Sequence, residues 1–301
     1  MLCGVALGGP ILNASGTFDA IAARGAFGDA LLEAFPFDCF VSKTITVAAR
    51  QGNPPPRLWE SASGMLNSIG LPNKGLDGFL AHDLPQLAQL PVPLCVSVMG
   101  FDSAELGALV EAVGERPEVG LVELNLSCPN VETGVLVGAD PRATAEMVTR
   151  VRARSDRPLI AKLSPNAADP AAVALAAEEA GADGVSLINT IRGMALHPVT
   201  REPWLGARSG GLSGAAVRTV ALEQVAAVAA AVSLPVVGMG GVASGRDAAD
   251  LLAVGAAVVA VGTESFRDPA AGRRISAELA AIRSAARRTA PAGVARSAPG
   301  A

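Results

Sequence analysis

Residues 121–153 read LVELNLSCPNVETGVLVGADPRATAEMVTRVRA, and the fold is decided by how this stretch divides. Leu121–Asn125 is a short apolar run, a polar loop bearing Pro129 follows, and Pro141–Ala153 has the Asp-Pro start and spacing of an amphipathic helix. A strand feeding a helix through one loop is a βα unit. Working outward, the same alternation recurs on both sides, with strands expected at Ile11–Ala14, Phe40–Lys43, Leu94–Val98, Leu159–Leu163, Gly184–Asn189, Val236–Met239 and Val258–Val261. Helical segments fall between them at Ser103–Val113, Pro170–Ala180, Ala215–Ala231 and Ser244–Val254. Eight strands with intervening helices favour a closed (β/α)₈ TIM barrel over an open sheet.

The spacing is uneven at residues 44–93, where QGNPPPRLWESASGMLNSIGLPNKG exceeds an ordinary βα connection. Long loops of this kind are commonly functional, and this one is expected to be an insertion covering the C-terminal mouth of the barrel. One domain is expected over residues 1–288. From Ala270 an Arg-bearing amphipathic helix decays into an Ala/Pro/Ser/Gly-rich end, 289–301, which reads as a disordered tail.

Composition removes several classes of function. A net charge of -4, a pI near 5.3, 3% aromatic residues and no Tyr leave neither the basic footprint nor the stacking platforms of a nucleic-acid binder. The apolar stretches Val225–Gly241 and Leu251–Gly262 are too short or broken to span a bilayer, and MLCGVALGGP lacks the basic start of a signal peptide, so a cytoplasmic protein is expected. Cys3, Cys39, Cys95 and Cys128 show neither CxxC spacing nor neighbouring His, which argues against a metal site or cluster. Cys39 and Cys95 lie in strand-like runs and read as small buried hydrophobes, whereas Cys128 sits in the polar loop Ser127–Asn130. His82 and His197 fall in loops without partners and read as surface residues.

In a barrel the chemistry lies at the C-terminal ends of the strands. Those ends carry Ala14-Ser15-Gly16, Lys43-Thr44, Asn125, Lys162, Asn189-Thr190, Gly240-Gly241 and Gly262-Thr263. Strand alternation puts Glu123 and Asn125 on one face, pointing into the barrel. An inward lysine with no carboxylate beside it in sequence is costly to bury, and an anionic ligand would remove that cost. The paired glycine loops after strands seven and eight match the phosphate site of such barrels, where backbone N–H groups approach phosphate oxygens. A competing reading takes Gly238–Ala243 as G-x-G-x-x-A with Glu264 as the ribose carboxylate of a dinucleotide fold; six preceding βα units oppose it.

The ordered series NASGTF, SKTIT, GNPPPR, GMLNSIGLPNKG, ELNLSCPNVETGVLVGADP, AKLSPN, INTIRGM, GGLSGAAV, GMGGVASG and VGT resembles the class 1 dihydroorotate dehydrogenases, most closely the class 1B branch, over nearly the whole chain. The resemblance implies a flavoprotein barrel that oxidises (S)-dihydroorotate to orotate in pyrimidine biosynthesis. It implies FMN contacts from Ala14, Ser15, Lys43, Thr44, Asn125, Lys162, Gly214, Gly240, Gly241, Gly262 and Thr263. Orotate would meet Lys43, Asn67, Asn125, Asn130, Asn189 and Thr190, with the backbone of Ile69, Gly70 and Leu71. Cys128 would be the catalytic base, with Lys43 and Lys162 completing the catalytic set.

Class 1B enzymes usually pass electrons to a separate FAD and iron–sulfur subunit that reduces NAD, so this chain would be a catalytic subunit in a homodimer or heterotetramer. It begins with less leading sequence than relatives usually have, which leaves an earlier start open. The alternatives are a related FMN barrel that uses fumarate or acts on other dihydropyrimidines, and a sugar-phosphate-binding barrel without flavin.

Overall fold

The computed structural model describes residues 1–127 and 136–289. Its strands are β1 (Ile11–Asn13), β2 (Phe40–Val41), β3 (Leu58–Ser61), β4 (Gly64–Asn67), β5 (Leu94–Val98), β6 (Val119–Asn125), β7 (Leu159–Lys162), β8 (Gly184–Leu187), β9 (Ile191–Gly193), β10 (Gly210–Ser213), β11 (Val236–Met239) and β12 (Val258–Val261). The helices are α1 (Ala20–Phe27), α2 (Ala30–Glu33), α3 (Gly75–Gly78), α4 (Leu84–Leu87), α5 (Ser103–Gly114), α6 (Pro141–Arg152), α7 (Pro170–Glu179), α8 (Arg218–Ala231), α9 (Gly245–Ala253) and α10 (Ala271–Thr289).

Eight of the strands form one parallel sheet in the order β1-β12-β11-β8-β7-β6-β5-β2, the arrangement of a (β/α)₈ barrel. Among the described residues no backbone ladder joins its two ends. Asn13 closes the gap instead: its Nδ2 donates to the Val41 carbonyl at 2.7 Å, and the Val41 N–H donates to its Oδ1 at 2.8 Å. A side-chain amide offers the same donor and acceptor as a peptide unit, so one buried asparagine replaces a ladder pair.

The helices begin where their caps dictate. Asp102 accepts from the Ala104 and Glu105 N–H groups at 2.9 and 2.8 Å, and Asp140 accepts from Ala143 N–H at 2.8 Å with Pro141 at the first helical position. Asp169 and Ser244 do the same for α7 and α9. Outward-facing strand residues such as Val96, Leu124, Ala161 and Val259 pack beneath the helices, while Leu12, Cys39, Cys95, Leu121, Ile160 and Val258 fill the barrel interior. Leu2, fully buried, belongs to that interior cluster and pairs with Val5 in a small turn.

The connection over residues 44–93 is more ordered than the expected loop. β3 and β4 form a hairpin that joins β10 and β9 in an antiparallel sheet of order β3-β4-β10-β9. Neither pair of strands is evident from its own sequence, because each is only three or four residues long and is completed by a partner more than a hundred positions away. Gly64 shows how tightly the pairing is made: a Cβ there would lie 2.3 Å from the Ser213 carbonyl oxygen. Two smaller readings also change. His82 is exposed but lies in a helical turn, Phe79–Asp83, between α3 and α4. His197 has partners, its Nδ1 accepting from the Val199 and Thr200 N–H groups at 3.2 Å each while its ring stacks on Trp204.

Candidate active site

The C-terminal ends of the barrel strands surround a cavity of about 460 Å³, roofed on one side by the small sheet. Ala14, Ser15, Lys43, Thr44, Asn125, Lys162, Asn189, Thr190, Gly214, Gly240, Gly241, Gly262 and Thr263 all line it, together with Asn67, Ile69 and Leu71. Gly70 stands between the last two with its carbonyl accepting from Arg50 Nε at 3.3 Å. Asn67, read as a loop residue, ends β4 and donates to the Gly211 carbonyl at 3.3 Å. Cys128 and Asn130 lie outside the described residues.

One wall presents backbone donors without protein partners among the described residues. Gly240 and Gly241 follow β11 with φ of 130° and 72°, and Gly262 and Thr263 follow β12. Among the described residues, the backbone N–H groups of these four residues have no protein acceptor. A Cβ on Gly240 would lie 2.6 Å from the Ala221 Cβ, and one on Gly241 would lie 2.7 Å from the Arg218 Cβ, so a side chain is excluded at both by helix α8 as well as by backbone conformation. A Cβ at Gly262 would project toward other cavity-lining atoms, the nearest being Ala14 Cβ at 3.7 Å. Clustered unpaired N–H groups on a surface without side chains suit phosphate oxygens. The dinucleotide reading falls here: Gly238 sits within β11 of a closed barrel, and Glu264 pairs with Arg274 at 2.9 Å.

The cavity floor is polar and connected. Asn125 Nδ2 donates to Thr44 Oγ1 at 3.1 Å, Thr44 Oγ1 lies 3.2 Å from Ser15 Oγ and 2.9 Å from Ser97 Oγ, and Asn189 Nδ2 donates to Ser127 Oγ at 2.7 Å. Ser127 immediately precedes Cys128 in sequence. Only three of the 24 basic residues of the chain are lysines, and two of them, Lys43 and Lys162, line this cavity. A lysine is a compact charge with rotatable donors and no planar fork, which suits an ammonium aimed at a ligand. Burial pushes the Lys43 amine below its usual range; nearby Asp19 pushes it back up, and Arg57 adds to the lowering.

Lys162 corrects the sequence reading. It does have a carboxylate partner, Glu123 Oε2 at 3.8 Å, contributed by the neighbouring strand. Glu123 was placed on the inward face but not in the site, yet it lines the cavity, as do Met239, Ser213 and Thr17. Alternation with Asn125 was the signal that pointed to Glu123; nothing in its own strand revealed that a lysine would arrive from β7.

Among the described residues no three His, Cys, Asp or Glu side chains gather as a metal ion would require, and no helix is long and apolar enough to cross a membrane. The dihydroorotate dehydrogenase family profile matches residues 1–282. The chain is 43% identical over 279 residues to a protein of Solibacter usitatus provisionally named dihydroorotate dehydrogenase A (fumarate), covering 92% of this chain and 90% of that one. It is 41% identical over 282 residues to the dihydroorotate dehydrogenase B (NAD(+)) catalytic subunit of Citrifermentans bemidjiense, and 41% over 282 residues to that of Geobacter sulfurreducens, each match covering 92% of this chain and 90% of the relative.

Proposed function

The chain belongs to the dihydroorotate dehydrogenase family, and on that premise we propose that it is the FMN-dependent catalytic subunit that oxidises (S)-dihydroorotate to orotate in pyrimidine biosynthesis. The observation that carries the reading is the cavity itself: an anion cradle of unpaired N–H groups at Gly240, Gly241, Gly262 and Thr263 faces a floor holding Lys43, Lys162 and the Asn125 and Asn189 amides. FMN supplies a phosphate for the cradle and, when bound, a two-electron acceptor for the hydride leaving C6 of the substrate.

The chain's own groups supply the rest. Lys43 pairs with the substrate carboxylate, and Asn67, Asn125, Asn130, Asn189 and Thr190, with the backbone of Ile69, Gly70 and Leu71, supply the mixed donors and acceptors that an imide-like ring edge needs. Cys128, which follows Ser127 in the sequence, removes the C5 proton; a free thiol near pKa 8.5 supplies some thiolate near neutrality. Ala14, Ser15, Thr44, Lys162 and Gly214 complete the flavin contacts. Lys162 offers positive charge where the reduced ring system becomes negative, in a site sheltered from water.

For the electron acceptor, the INTIRGM and VETGVLVGADP segments favour a B-type subunit whose electrons leave through an FAD and iron–sulfur partner to NAD. The relative named for fumarate keeps a second reading in view, since its 43% identity lies alongside the 41% of the NAD-linked relatives. Cytoplasmic placement, a single catalytic domain over residues 1–288 and a homodimeric or heterotetrameric assembly belong to the same proposal. The purified chain should be yellow, release FMN on denaturation, and reduce dyes with dihydroorotate while reducing NAD poorly. A colourless chain would end the flavin reading, efficient NAD reduction by the chain alone would end the partner reading, and rapid turnover with fumarate would favour the second one.

A further inference from the structure

Glu123 is a buried carboxylate at the cavity wall that the mechanism above does not use. It belongs to β6, at the level where the ladder pairs it with Ser97 of β5, while Lys162 and Ser186 pair one level nearer the mouth on β7 and β8. Each carboxylate oxygen has one hydroxyl donor: Ser97 Oγ to Oε1 at 3.2 Å and Ser186 Oγ to Oε2 at 3.0 Å, both serines being fully buried. The Lys162 ammonium lies 3.8 Å from Oε2 and donates to Met239 Sδ at 2.9 Å.

An ammonium has three N–H donors and no acceptor. In this geometry one is spent on the Met239 thioether, while Glu123 at 3.8 Å is an ion-pair partner beyond hydrogen-bond distance, which leaves N–H groups for whatever occupies the cavity that Lys162 lines. A thioether is a weak acceptor and carries no charge, so among the described residues Glu123 is the counter-charge that offsets most of the lysine's lost hydration. The hydroxyls of Ser97 and Ser186, one on each oxygen, restrain the rotation of the carboxylate.

We infer that Glu123 is a positioning residue: anchored by Ser97 and Ser186, it keeps the Lys162 amine charged and its free N–H aimed into the cavity. Among the described residues Lys43 has no such anchored ion pair, and only the field of Asp19 favours its charge. The catalytic consequence rests on the flavin reading, but the arrangement itself belongs to the protein.

The test uses the full-length chain, as purified and after extraction of any bound flavin. Acetic anhydride acylates only the neutral amine, and mass spectrometry resolves Lys43, Lys74 and Lys162, the only lysines present. Glu123→Gln should raise the Lys162 acetylation rate in the extracted protein by about tenfold or more, since removing the buried counter-charge disfavours the ammonium, with Lys43 unchanged within about twofold. In the flavin-loaded chain, Glu123→Gln should slow the reductive half-reaction, and that effect should vanish in a Lys162→Met background. Should Glu123→Gln not fold, Ser186→Ala should move the Lys162 rate in the same direction by a smaller factor.

An unchanged Lys162 rate overturns the inference. So does an equal rise at Lys43, which would mean general loosening, or an effect on flavin reduction that persists without Lys162. If the chain carries no flavin, the functional reading fails while the acetylation ratio still decides the role of Glu123.

Discussion

The two ends of the same barrel strands obey opposite rules. On β5 the inward residues run from Cys95 to Ser97, on β6 from Leu121 to Glu123 and Asn125, and on β7 from Ile160 to Lys162. Below, the side chains are apolar or nearly so, and the thiols of Cys39 and Cys95 are held protonated: burial pushes Cys39 up to about 12 and Cys95 well above its usual range. Above, the carboxylate, ammonium, amides and hydroxyls each find a partner or face the cavity. A few ångströms of rise along a strand separate an apolar layer that stabilises from a polar one that faces the cavity. Buried polar groups are tolerated in the upper layer because hydrogen bonds and an ion pair replace their hydration.

The sharpest way to break that comparison is at the residue proposed as the base. Cys128→Ala should leave FMN and orotate binding intact and slow flavin reduction in stopped flow by roughly 10²–10⁴, the usual contribution of a general base. Reduction at the wild-type rate would place the base elsewhere. Next in size, Lys43→Ala should weaken orotate binding by about 1.5–3 kcal/mol, the contribution of a charge-assisted hydrogen bond, with FMN retained. Because burial lowers the Lys43 pKa, orotate affinity in the parent should also fall at a pH below the usual lysine range as the ammonium is lost. Titration calorimetry across pH reads both effects, and unchanged affinity in the variant would remove Lys43 from the substrate side.

The smallest effect is expected at the closed end. Cys39→Ala should leave flavin reduction untouched and cost about 1 kcal/mol at pH 7 through lost packing. Its sign reverses in alkali. The folded-state pKa of about 12 lies above the ordinary value of 9.0, so the protonated thiol contributes stability that is complete below pH 9 and lost as pH rises toward 12. Denaturant titrations between those limits should therefore show a shallower loss in Cys39→Ala than in the parent. An equal slope would mean that this thiol does not report the apolar character of the lower layer.

The barrel was legible because its units are local. The strands Leu94–Val98, Val236–Met239 and Val258–Val261 have the expected limits, and α5, α6 and α7 start at the Asp caps their sequences announce. The helix expected over Ala215–Ala231 is instead a short 3₁₀ turn, Ala215–Val217, running into α8. β3 and β4 were not legible, since a hairpin of two four-residue strands gains definition only when β4 pairs with the distant β10.

What the sequence determined by itself is the set of parts: alternating βα units, polar residues ending the strands, glycines after β11 and β12, and an ordered series of motifs specific enough to identify a family. What the tertiary structure decided is which parts meet. Glu123 and Lys162 are distant in sequence, and alternation along one strand reports the face a residue takes but not what a neighbouring strand places opposite it. Asn13 closing the barrel on Val41, and a carboxylate waiting beneath a lysine, depend on register and shear, and those are fixed only when all eight strands close together.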